Sequence, residues 1–154
     1  NPRGLMADLL RNKVALVTGA GRGIGRAIST TLAREGARIA LTGRNMPRLN
    51  QVKSEIERAQ GQADVWQMDV SKESSVRDTV EKIISDRGQI DILVNNAAII
   101  HSQIPVWKTS ISDWDEEMEV NLRGTFLCCH FVVPYMINQG SGAVINIGSS
   151  SGTI

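Results

Sequence analysis

Only two cysteines occur in the 154 residues, Cys128 and Cys129. Adjacent cysteines cannot make an ordinary framework disulfide, and there is no C-x-x-C or zinc-type spacing, so a disulfide scaffold and a zinc module are both excluded. The two thiols read as small hydrophobes of a reduced interior. The only histidines, His101 and His130, lie far apart with no ligand pattern around them, so no metal site is expected. No apolar run approaches the roughly 20 residues needed to span a bilayer. The stretch Asn1–Arg11 has no secretory hydrophobic segment, and a cytoplasmic protein without a membrane partner is expected. Charge of one sign is also lacking: a formal net charge of +1 gives no general attraction to nucleic acid. The length fits one domain, 1–154, able to bury a sizeable core.

What is present is organised around Thr18–Gly25, T-G-A-G-R-G-I-G. The apolar run Val14–Val17 precedes it, and Ile24, Ala27, Ile28, Thr31 and Leu32 follow at helical spacing. The pattern predicts a buried strand, a glycine turn and a helix. Glycines at 19, 21, 23 and 25 let backbone approach a ligand closely, and a helix starting there aims free N–H groups and a positive dipole end at an anion. Two related phosphate motifs are absent. G-x-G-x-x-G fails because positions 24 and 26 are Ile24 and Arg26, and no G-K-[ST] of a P-loop follows. The bland alternative is a tight turn with no ligand.

Further on, Arg38–Thr42 reads as a second strand, with Gly36 past the preceding helix end. Asn45 and Pro47 open a helix carrying Leu49, Val52, Ile56 and Ala59. Ala63–Met68 is a third strand, and Ser71 is expected to cap a helix carrying Val76, Val80, Ile83 and Ile84 that stops at Gly88. Asp91–Val94 is a fourth strand ending at Asn95-Asn96-Ala97-Ala98. After a loop, Ser112 is expected to cap a long helix running to Asn138, bent near Gly124 and Pro134. Ala143–Ile147 is a fifth strand, followed by Gly148-Ser149-Ser150-Ser151-Gly152.

Alternating strands and helices predict an α/β fold: a Rossmann-like, doubly wound parallel sheet with helices on both faces. Ligands of such sheets bind beyond the carboxyl ends of the strands, where the strand order reverses. The glycine turn, Gly43-Arg44, Asp69-Val70, Asn95–Ala98 and Gly148–Gly152 all fall at that edge.

Those segments resemble the short-chain dehydrogenase/reductase family. Thr18–Gly25 matches its T-G-x-x-x-G-x-G, Asp69-Val70 its adenine-contacting pair, and Asn95–Ala98 its N-N-A-G with Ala98 in place of glycine. Asn121 resembles the catalytic asparagine, and Ile147-Gly148-Ser149 the segment bearing the catalytic serine. Within the family, 3-oxoacyl-thioester reductases and sugar or polyol dehydrogenases are the nearest resemblances. The likeness implies hydride transfer between nicotinamide and a carbonyl or secondary alcohol carbon of a small molecule. Ser149 would hold the substrate oxygen, with Ser150 as the alternative register. Asn121 would anchor a water relay, against a plain helix-bending amide. The cofactor would be held by Gly19, Gly21, Arg22, Gly23, Ile24, Gly25, Arg44, Asp69, Val70 and Asn96, although Asp69 also reads as a helix-flanking acid.

The family's proton-donating Y-x-x-x-K pair is expected past Ile154, so the sequence reads as the amino-terminal part of a reductase, inactive by itself. Tyr135 precedes Ser149 and has Gln139 four residues later, so it cannot substitute. At the end of the second strand, where an NAD site usually has a carboxylate, stands Gly43, followed by Arg44. A guanidinium suits a 2′-phosphate, and Arg22 could reach the same group, so NADP(H) is expected over NAD(H). The alternative leaves both arginines as solvated charge. An unusually apolar helix around Phe126, Leu127, Phe131, Val132 and Val133 points to a homo-oligomer, a tetramer or dimer. A non-catalytic nucleotide-binding regulator on the same sheet is the competing function.

Overall fold

The computed structural model of the chain describes residues 9–101 and 104–149. Five strands, β1 (Val14–Thr18), β2 (Arg38–Gly43), β3 (Gln62–Gln67), β4 (Ile92–Asn95) and β5 (Ala143–Asn146), form one sheet. Every pairing is parallel, in the order β3-β2-β1-β4-β5. The order reverses between β1 and β4, so the carboxyl ends of these two strands flank the crevice.

Both faces of the sheet are covered, and the side-chain period of two assigns residues to them. Ala15, Val17, Ile39, Leu41, Ile92 and Val94 pack with Leu49, Val52 and Ile56, which lie on helix α2 (Met46–Arg58). Helix α1 (Gly23–Arg34) adds Ala33 to this layer. Val14, Leu16, Ala40 and Leu93 face the other way. They meet Val76, Val80 and Ile83 of α3 (Glu73–Arg87), and Leu127, Cys128, Val132 and Met136 of α5 (Gly124–Gln139).

Helix boundaries show which local signals win. Asn45 caps α2 as expected, accepting from Arg48 N at 3.0 Å, and Gly88 ends α3 in the left-handed region with φ 79°. Three expectations are corrected. Ser112 does not cap the fourth helix, α4 (Ile111–Glu117). Ser110 does, accepting from Asp113 N at 3.0 Å. Ser71 does not cap α3, because its hydroxyl and N–H both go to Asp69 Oδ1, and Lys72 takes the cap position without a side-chain bond. Ile24 is not part of the buried stripe of α1. The buried residues of that helix are Gly25, Ser29 and Ala33, and small side chains there let α1 lie close to the sheet.

The long helix is distorted where a bend was expected. Between α4 and α5 lies a π-helical segment, Met118–Arg123, and Pro134 sits inside α5. Together residues 111–139 run as one helix that could cross a bilayer by length and composition alone. Here Val120, Leu127, Cys128, Val132 and Met136 pack it against the sheet.

Candidate functional site

The glycine turn is held from below before it can hold anything above. Thr18 is buried, and its hydroxyl donates to Val94 O at 3.3 Å while accepting from Asn96 N and Ala97 N, both at 2.9 Å. One side chain thus clasps the tips of β1 and β4. Asn96 returns the contact: its Nδ2 donates to Thr18 O at 2.9 Å and Gly19 O at 3.3 Å. Gly19 has φ 63°, a conformation that L side chains rarely adopt. A Cβ at Gly25 would stand 2.4 Å from Gly19 O and 2.5 Å from Asn96 Nδ2. Gly25 is therefore the packing glycine, buried under the turn and outside the cleft lining.

Above the turn opens a cleft of about 340 Å3. Gly19, Gly21, Arg22, Gly23 and Ile24 form one wall, and Gly43 and Arg44 another. Asp69, Val70 and Asn96 also line it. Of the ten residues expected to hold a cofactor, only Gly25 stays outside. Ile24, 60% exposed, lies on the cleft and supplies apolar surface at the entrance to α1. No side chain caps α1 and no acid stands in its first turn. The uncapped N-terminus of a twelve-residue helix thus opens onto the cleft, which is chemistry suited to a phosphate group.

Asp69 stands both at the cleft and just before α3. It lines the cleft, and its Oδ1 accepts from Ser71 N at 3.0 Å and Ser71 Oγ at 2.8 Å. Its own N–H donates to Ser75 Oγ at 3.0 Å, and Arg123 Nη1 holds the loop by donating to Ser71 O at 2.9 Å. Ala98 also lines the cleft without a positive φ, which is why alanine is accommodated in the N-N-A-A segment.

Asn121 lies within the π segment rather than on the cleft wall. Its Oδ1 accepts from Ile99 N at 2.9 Å and its Nδ2 donates to Ile99 O at 2.8 Å. Its own carbonyl accepts from Thr125 Oγ1 at 2.9 Å. The amide braces the strand-four loop beside the cleft. Ser149 is exposed after β5 and is not among the lining residues; Ser150 lies outside the described residues. His101 is drawn to α4, with its N–H on Glu117 Oε1 at 2.7 Å and its Nε2 3.0 Å from Glu116 Oε2. Trp107 is 80% exposed. Cys128 is buried as expected, which pushes its thiol up to about 12, with a smaller contribution from Cys129. It is an inert packing residue at neutral pH.

Of the lining residues that the sequence did not assign to the site, three are polar, Thr42, Asn45 and Arg48, and the others, such as Leu49, Met68 and Val120, are apolar. Arg48 carried a usable signal, because four residues after Arg44 and three after the Asn45 cap it stands in the first turn of α2, at the same edge.

Comparison with known proteins agrees with this geometry. A sequence model of the short chain dehydrogenase family matches residues 13–154. The chain is 41% identical over 144 residues to an uncharacterized oxidoreductase of Staphylococcus saprophyticus, covering 93% of this chain and 61% of that protein. It is 37% identical over 143 residues to a 3-oxoacyl-[acyl-carrier-protein] reductase of Thermotoga maritima, covering 93% and 58%. It is likewise 37% identical over 145 residues to a D-threitol dehydrogenase of Mycolicibacterium smegmatis, covering 94% and 55%. Among solved structures, a metagenomic short-chain oxidoreductase in complex with NADP superposes with a TM-score of 0.88 at 36% identity, covering 91% of this chain and 63% of that one. The chain thus spans less than two thirds of the length of these relatives. With the family model spanning residues 13–154 and the sheet superposing on a solved member, this chain belongs to the short chain dehydrogenase family.

Proposed function

We propose that the protein is an NADP(H)-dependent oxidoreductase interconverting a carbonyl and a secondary alcohol. The observation that carries the cofactor choice is the end of β2. Gly43 stands where a carboxylate would accept from a ribose 2′-hydroxyl, and Arg44 and Arg22 line the cleft beside it. No hydrogen bond or ion pair among the described residues occupies either guanidinium. Such groups match a 2′-phosphate through charge-assisted, bidentate hydrogen bonds.

The chain's residues would divide the work along the strand ends. The uncapped start of α1 holds the pyrophosphate, Asp69 and Val70 the adenine end, and Asn96 the turn that shapes the middle. The bound nicotinamide supplies or takes the hydride. Ser149 holds the substrate oxygen. Asn121 fixes the loop at Ile99 and uses its remaining hydrogen-bonding capacity to anchor a water. The proton donor is the tyrosine–lysine pair of the family in the remainder of the complete protein. A 3-oxoacyl thioester or a polyol is the substrate class, following the similarity to the reductase and the threitol dehydrogenase. Assembly uses the exposed face of α5, where Leu122 just before it, Phe126 and Ile137 are each more than 60% exposed.

Titration of the complete protein with NADPH and NADH tests the reading. NADPH is expected to bind ten- to a hundredfold more tightly, the worth of hydrogen bonds to a charged group. Equal or tighter NADH binding refutes it. Turnover of a panel of ketones and polyols separates the enzyme from the nucleotide-binding regulator.

A further inference from the structure

Most arginines of the described chain already have an acceptor. Arg26 pairs with Glu55, Arg38 with Gln62, Arg58 with Ser54 O, Arg77 with Asp78, Arg87 with Asp64 and Arg123 with Ser71 O. Arg22, Arg34, Arg44 and Arg48 have none through their guanidinium groups, and of these Arg22, Arg44 and Arg48 line the same cleft. Among the described residues Asp69 is the one acid on that lining, and one of its carboxylate oxygens is taken by Ser71. The cleft therefore concentrates positive charge in a chain of formal net charge +1.

Arg48 is placed by backbone rather than by its charge. Its N–H is fixed on Asn45 Oδ1 at 3.0 Å, in the first turn of α2, which contains no acid. A cation at a helix N-terminus is opposed by the helix dipole, and no carboxylate there offsets it. Its Cβ lies 3.1 Å from the point a Cβ on Gly21 would occupy. The stem of Arg48 thus starts against the glycine turn, one residue from Arg22, while Arg44 leads into the same helix. A phosphate monoester carries a charge of roughly −1.5 to −2 and three acceptor oxygens. Such a group would meet three guanidinium groups and offset the dipole conflict at the same time.

We propose that Arg48 is a third ligand of the cofactor's 2′-phosphate and a determinant of nucleotide specificity, together with Arg22 and Arg44. This rests on the NADP(H) reading above. Because Arg48 is exposed and makes no side-chain bond, its replacement leaves the fold intact.

The test uses the complete protein and two fragments of the cofactor, adenosine 2′,5′-bisphosphate and adenosine 5′-monophosphate, titrated calorimetrically. The unaltered protein is expected to prefer the bisphosphate. Arg48→Ala should weaken the bisphosphate by about tenfold or more while leaving the monophosphate unchanged, and Arg48→Lys should recover part of the loss. Unchanged bisphosphate affinity in Arg48→Ala, or an equal loss for both fragments, overturns the role of Arg48. An unaltered protein that binds both fragments equally instead overturns the NADP(H) reading itself. A melting curve of each variant confirms that folded protein was titrated.

Discussion

The two flanks of β1 are built from similar strand sequences and end in opposite states. On one side β2, Arg-Ile-Ala-Leu-Thr-Gly, buries Ile39, Ala40 and Leu41 almost completely between α2 and the opposite layer. On the other, β5, Ala-Val-Ile-Asn, leaves Val144 39% and Ile145 45% exposed. Both strands are apolar and both pair in parallel with a central neighbour. What differs is the cover. β2 lies between two strands, whereas β5 pairs only with β4 and stands at the edge of the sheet among the described residues. Burial is thus a property of what packs on a strand, and the apolar character of a strand only states the demand. The helices also differ in where they expose apolar surface: α1 turns Ile24 onto the cleft, while α5 turns Ile137 outward and Phe126 outward against His130.

One substitution at two glycines sharpens this comparison most. Gly25→Ala on the nucleotide flank puts a Cβ 2.4 Å from Gly19 O. The turn must shift, and affinity for NADPH should fall by about a hundredfold or more, with roughly 1–3 kcal/mol of stability lost to overpacking. Gly148→Ala beyond β5 meets nothing within 4 Å among the described residues and should change neither. Titration and thermal melting of both variants provide the check, and equal effects would mean that the flanks do not differ in packing tolerance.

Next in size is the exposed face of α5. Phe126→Ala should leave the fold intact but weaken self-association of the complete protein by about 2 kcal/mol, as for a buried aromatic anchor. Analytical ultracentrifugation across concentrations reads this, and an unchanged association constant removes α5 from the interface. Asn121→Ala should cost about 2 kcal/mol of stability by stripping Ile99 of both side-chain partners. Asn121→Asp keeps the acceptor for Ile99 N and should recover part of it. Faster hydrogen exchange at the Ile99 amide would localise the effect to the loop. The smallest change is on the nucleotide flank. Arg26→Ala breaks an exposed pair with Glu55, worth under about 1 kcal/mol, and chemical denaturation should barely register it.

The sequence was informative wherever chemistry is local. Short runs rich in apolar residues placed all five strands to within a residue or two, because a parallel strand carries that pattern whether or not helices cover it. Asn45 and Gly88 announced helix ends because a cap and a left-handed terminus need those residue types nearby. Ser71 and Ser112 failed for a reason invisible in one dimension. A cap needs a side-chain oxygen placed to accept from a free N–H, and in space Asp69 holds the Ser71 hydroxyl while Ser110 Oγ accepts from Asp113 N.

The sequence by itself determined the parallel α/β sheet, the glycine turn and the helix that starts from it, because apolar period, glycine spacing and strand–helix alternation are local and repetitive. Tertiary structure alone decided the rest. It set Gly25 beneath the turn instead of in the cleft, gave Thr18 the task of clasping β1 to β4, spent the side chain of Asn121 on Ile99, and brought Arg48 beside Arg22 and Arg44. Each of those depends on contacts between residues distant along the chain, or on the angle at which a helix meets the sheet, and neither quantity is written in the order of the residues.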